Sequence, residues 1–218
     1  MADARFRQQL RQHLLAERAF GLEELPSGEK NSPGKAVALA ALAKEFENCQ
    51  MCALGATRTK LVFGSGDPEA ELMFIGEAPG FDEDKQGLPF VGAAGQLLTK
   101  MIVAMKLTRE KVYIANTLKC RPPNNRPPLP TEIVTCNPIL MRQIEIIRPR
   151  IICALGKAAA QTVLQSEEPI SRLRGRFFEK YGAQVMPTFH PAYLLRNPAD
   201  KKLVWEDLQK IMKELGTL

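Results

Sequence analysis

Cys49, Cys52, Cys120 and Cys136 are the residues whose type and spacing most directly imply chemistry. The first two form a C-x-x-C pair, and fifteen residues separate the second two. A zinc ribbon supplies two close pairs, so the wide second pair fits it poorly. Four thiolates at irregular spacing suit a cubane iron–sulfur cluster better, against the plainer reading of scattered buried thiols. A fifth cysteine, Cys153, sits inside an apolar run and reads as core. An odd cysteine count in a chain that opens without an apolar signal region speaks against a secreted disulfide framework.

The second candidate is residues 76–98, GEAPGFDEDKQGLPFVGAAGQLL. It follows the apolar run 72–75 and leads into an apolar-periodic segment, so the order is strand, glycine-rich acidic loop, helix. So many glycines in one loop suggest that something approaches the backbone closely. A phosphate cradle is the first thought, but Glu77, Asp82, Glu83 and Asp84 would repel phosphate. No Gly-Lys-Ser/Thr follows to complete a P-loop. Asn116, closing the run 112–116, and His190, one of two histidines, complete the set of candidates.

These residues need a scaffold, and the chain alternates as α/β proteins do. Strands are expected over 61–68, 72–75, 112–116, 151–155, 177–179 and 184–189. Helices are expected over 36–47, 91–105, 131–147, 156–164 and 205–215, with a kink or restart at Pro138 capped by Asn137. The predicted fold is a three-layer α/β/α sandwich with a central, mostly parallel four-stranded sheet. Its ligand should lie at the carboxyl ends of the strands, where Gly76, Asn116 and His190 all fall. Residues 1–35 read as an N-terminal helix over 4–20 and a Pro/Gly-rich linker, ahead of one domain over 36–218. At 218 residues, 45% hydrophobic and 25% charged, the composition is that of an ordinary soluble domain. The net charge of +6 argues only weakly for a polyanionic partner. No run is long enough to span a membrane, and a cytoplasmic monomer is expected.

Three long motifs in order, residues 76–98, NTLKCRPPNNRPPLP and FHPAYLLRNP, with C-x-x-C upstream, resemble the family-4 iron–sulfur uracil-DNA glycosylases. The resemblance covers residues 46–207. It implies a 4Fe–4S cluster on Cys49, Cys52, Cys120 and Cys136, structural in role, and excision of uracil from single- or double-stranded DNA. It implies that Gly76, Glu77, Ala78 and Phe90 line the base pocket, with Phe90 stacking on the base. Asn116 would read the uracil edge and His190 would donate to O2. Glu83 would activate water or shield C5 from thymine's methyl, with Asp82 and Asp84 solvated or capping. Better-known uracil glycosylases have an aspartate where this chain has Ala78, which leaves the general base open. Leu194, Leu195 and Arg196 suggest a wedge into the DNA stack. Arg121, Arg126, Arg172, Arg174 and Arg176 are candidate phosphate contacts.

Two competing readings share these motifs. A covalent uracil-trapping relative would carry a histidine in the loop after Asn116, and residues 120–130 contain none. A non-catalytic iron–sulfur DNA-binding module would have little use for Phe90, Glu83, Asn116 and His190 together.

Overall fold

A computed structural model describes residues 34–217. The expected N-terminal helix and nearly all of the linker lie outside the described residues. The first described helix is α1 (Lys35–Phe46), followed by a short α2 (Leu54–Thr57) beyond the C-x-x-C pair. Strands β1 (Ser65–Gly66) and β2 (Leu72–Gly76) come next. The acidic loop contains a six-residue helix, α3 (Phe81–Gln86), which ends at Gly87 with φ +78°. It leads to α4 (Ala93–Ala104), a 3₁₀ turn (Arg109–Lys111) and β3 (Tyr113–Asn116). Then follow α5 (Pro130–Ile147), β4 (Ile151–Leu155), α6 (Gly156–Leu164) and α7 (Ile170–Leu173). Strands β5 (Phe178–Lys180) and β6 (Ala183–Thr188) precede α8 (Pro191–Arg196) and α9 (Lys201–Leu215).

Among the described residues the sheet has six strands in the order β1-β3-β2-β4-β6-β5. The four central strands are parallel, as expected, but β1 and β5 extend both edges antiparallel. The two added strands, only two and three residues long, fall within or across the expected runs 61–68 and 177–179, and they join the sheet as edges beyond the expected four. Strands β2, β3 and β4 are buried at every position, because helices cover both faces of a parallel sheet. Alternate side chains serve opposite layers. Leu72, Phe74, Ile114 and Cys153 pack with α4 and α9, whereas Met73, Ile75, Ala115 and Ala154 pack with α5 and α6. Cys153 is thus a core residue, as its sequence context suggests.

Helix α5 runs unbroken through Pro138, so the restart capped by Asn137 is not found. Pro138 lies on the exposed side of the helix, where water can satisfy the carbonyl that loses its N–H partner. The topology switches at β2, which has β3 on one side and β4 on the other. Registry pairs Gly76 with Asn116 and Leu155 with Thr188. The strand ends therefore open into one crevice at the switch point.

Candidate active site

A cleft of about 480 Å³ occupies that crevice, within the range of small-ligand sites. Glu77, Ala78, Glu83, Phe90, Asn116, His190 and Arg196 all line it, which gathers residues more than a hundred positions apart. Gly76 lies just beneath: a Cβ there would collide with the Asn116 carboxamide and the Phe90 ring. Larger grooves of about 720 and 580 Å³ lie beside α1 and at the amino ends of β4 and β6, without these residues.

Asn116 is 2% exposed, and its Oδ1 has no hydrogen-bond partner. Buried acceptors are seldom left unpaired, since desolvating one costs about 1–3 kcal/mol. An acceptor stranded on a cleft wall is therefore poised for a donor on a ligand. His190 caps α8, and its Nδ1 accepts from the Ala192 N–H at 3.1 Å. That bond puts the ring proton on Nε2. Burial, with Arg196 adding to it, pushes the imidazole down to about 4, so the ring is a neutral donor at physiological pH. Gly156, at φ +87°, leaves room for it, because a Cβ there would stand 2.8 Å from the His190 Cβ. The Phe90 and His190 rings are 5.7 Å apart and tilted by 33°.

Phe90 has a left-handed backbone, φ +54°, which is strained for a bulky residue. Two charged side chains impose it. Glu83 Oε1 accepts from the N–H groups of Val91 at 2.8 Å and Gly92 at 2.9 Å, and Oε2 accepts from Gly80 at 3.1 Å. Arg109 donates to the carbonyls of Pro89 at 2.7 Å and Phe90 at 3.0 Å, and to Thr99 Oγ1 at 3.2 Å. Burial lowers the Arg109 pKa while Glu110 and Glu83 oppose it. Glu77 differs from Glu83. Its backbone carbonyl accepts from Thr117 Oγ1 and from the Leu118 N–H, but burial alone raises the pKa of its side chain.

Several expectations need correction. Leu194 is 1% exposed and belongs to the core between α4 and α9, so it is no wedge; Leu195, 46% exposed, remains free to be one. Asp84 is not solvated: it is buried and accepts from the Thr59 N–H at 2.9 Å. Arg174 is not a free surface cation, because it forms a buried pair with Asp207 at 2.7 Å. Arg126 is held by Glu132 through both guanidinium ends.

The four predicted cysteines surround one small cavity under α5. All are free thiols, and among the described residues no three metal-ligating side chains close on a single point. A cubane spaces its thiolates more widely than one ion does. Burial pushes the Cys120 thiol up to about 11 and raises that of Cys136 as well. Thiolates there need positive company, and N–H donors already face the sulfurs. Arg58 Nη1 lies 3.4 Å from Cys120 Sγ, and the Lys119 N–H 3.3 Å from Cys136 Sγ. The donor set fits a cluster. Lys119 itself is fully buried, its Nζ donating to the Asn116 carbonyl at 2.7 Å and to Gln143 Oε1 at 2.6 Å.

Sequence patterns pointed to neither Arg109 nor Lys119. Only Lys119 left a signal, as a lysine placed directly between the end of the Asn116 strand and the predicted ligand Cys120.

Comparison with known proteins gives a consistent result. The model of the "Uracil DNA glycosylase superfamily" matches residues 63–209. The chain is 45% identical to the type-4 uracil-DNA glycosylase of Saccharolobus solfataricus, over 81% of this chain and 86% of the relative. For that of Archaeoglobus fulgidus the figures are 44%, 80% and 92%, and for that of Thermotoga maritima 43%, 78% and 90%.

Proposed function

This chain belongs to the uracil DNA glycosylase superfamily, alongside its type-4 members, and from that premise we propose that it excises uracil from DNA. The single observation that carries the reading is the unpartnered Asn116 Oδ1 in a cleft shared with Phe90 and a neutral His190. The uracil is swung out of the strand into the cleft, since the glycosidic bond cannot be reached within the stack. Phe90 stacks on the base, which contributes about 1–3 kcal/mol. Asn116 Oδ1 accepts from N3–H while its amide donates to O4. Cytosine presents the opposite polarity at both atoms, so each mismatched pair discriminates by about 1–3 kcal/mol.

As the N1–C1′ bond breaks, the sugar gains oxocarbenium character and negative charge spreads onto O2 of the base. His190 Nε2–H is directed at that charge, and a preorganised donor of this kind contributes about 3–4 kcal/mol. Water adds at C1′. Glu77 is better suited than Glu83 to orient that water and take its proton, because Glu83 already spends three of its lone pairs on the loop. Glu83 serves as the brace that holds the wall beside C5. Arg196, which lines the cleft, and the exposed Leu195 beside it would fill the gap left in the stack.

Cys49, Cys52, Cys120 and Cys136 would hold a 4Fe–4S cluster. When bound, it supplies a cross-link between the C-x-x-C segment, the loop after β3 and α5. Visible charge-transfer absorption with near-stoichiometric iron would verify it. Among the described residues no helix is long and apolar enough to cross a membrane. We further propose a cytoplasmic monomer with a glycosylase domain over residues 36–218.

The test is incubation with uracil-containing single- and double-stranded oligonucleotides followed by alkali. Strand cleavage at the uracil supports excision. An SDS-resistant adduct would mean covalent trapping, and binding without cleavage would leave only a recognition module. Asn116→Asp should weaken the preference for uracil over cytosine, and an unchanged preference would refute edge reading by Asn116.

A further inference from the structure

The lip of the cleft carries an aromatic group that the excision chemistry does not use. Phe81 follows directly after the lining residue Gly80, yet its ring is 49% exposed. Lys85 Nζ rests 4.5 Å from the ring centroid and the Arg121 guanidinium 5.0 Å from it. Arg121 is adjacent in sequence to another lining residue, Pro122, and its Nε is steered by Asn125 Oδ1 at 2.7 Å. The acidic neighbours of Phe81 are turned away from this lip. Glu83 and Asp84 are tied inward to backbone N–H groups, and Asp82 points back towards Gly92 at the start of α4. The outer surface is thus an aromatic ring flanked by two cations, at the edge of a pocket that receives one base.

We propose that Phe81, Lys85 and Arg121 form a second nucleotide subsite, in which the base next to the extruded uracil stacks on Phe81 and the adjoining phosphates engage the two cations. The proposal rests on the uracil-excision reading and adds to it a reason for preferring unpaired strands. Stacking on an aromatic side chain tolerates any base, because every base has a π face, and it needs a base free of its complement. Cations over an exposed ring are held weakly, so they can exchange the ring for phosphates as the base arrives.

The test pairs a protein change with a substrate change on single-stranded oligonucleotides. In the unaltered protein, replacing the base on one side of the uracil by a tetrahydrofuran abasic residue should raise KM about tenfold. Phe81→Ala should raise KM by a similar factor with kcat within about twofold, and the abasic replacement should then add less than about twofold. Phe81→Tyr should behave as the unaltered protein. Lys85→Ala with Arg121→Ala should flatten the salt dependence of binding by about 0.7 in log–log slope for each phosphate no longer neutralised. Independent, multiplying penalties at both flanking positions, or an unchanged KM for Phe81→Ala, would overturn the subsite. An unchanged salt slope would overturn its engagement of phosphates. Absence of uracil release by the unaltered protein would instead overturn the excision reading.

Discussion

The acidic loop and the exit of β3 reach the same pocket, yet they are held by opposite charges. In the loop, the Glu83 carboxylate collects three backbone N–H groups around the Phe90 wall. At the exit of β3, the Lys119 ammonium collects the Asn116 carbonyl and Gln143 Oε1 beneath the edge-reading side chain. The Glu83 node is partly exposed and its partners are near in sequence. The Lys119 node is wholly buried and links β3 to α5. A charge in contact with water can lose its partners at modest expense to the fold, whereas a buried polar node cannot. Loosening the loop should therefore be felt in catalysis, and loosening the strand exit in stability.

The sharpest way to break this contrast is Lys119→Met, which leaves two buried oxygens without donors. Unfolding free energy should fall by about 3 kcal/mol in urea titrations. A fall under about 1 kcal/mol, the range of an ordinary hydrogen bond, would show that the two nodes do not differ in this way. Glu83→Ala should leave the urea midpoint nearly in place while lowering kcat/KM about 100-fold, as the strained Phe90 backbone relaxes. Arg109→Lys tests the other half of the loop clamp. A point charge cannot span both carbonyls as the guanidinium fork does, so KM should rise about tenfold with little change in kcat.

The last prediction concerns pH. His190 is held near 4 in the folded state against about 6.5 when unfolded. Between those values the unfolded chain binds the extra proton, so stability falls as pH drops from 6.5 towards 4. The maximum slope is about 1.4 kcal/mol per pH unit. His190→Gln should flatten that part of the stability profile, seen by comparing urea midpoints at about pH 7 and about pH 4.5. Its neutral state also predicts that kcat/KM shows no break assignable to His190 between about pH 8 and about pH 5.

The pocket's corners were legible because each sits where a strand period stops at a turn residue: Gly76, Asn116, and His190 before Pro191. The clamp was not legible. Glu83 and Arg109 bond to main-chain amides and carbonyls, which every residue possesses and no sequence pattern marks. Leu194 and Leu195 illustrate a different limit. A wedge motif names both, and only the rotation of α8 decides that the first enters the core and the second faces solvent. Pro138 suggested a restart that does not occur for the same reason, since its exposure on α5 determines whether the missing N–H ends the helix.

The Glu83 brace also bears on the order in which the pocket is assembled. Its three bonds span only three, eight and nine residues, so closing them costs little loop entropy. That wall can form as soon as its own segment is made, whereas Asn116 and His190 meet it only after β3 and β6 have docked. Base binding is accordingly a late event in folding, and a ligand for the pocket would report on completed chains alone.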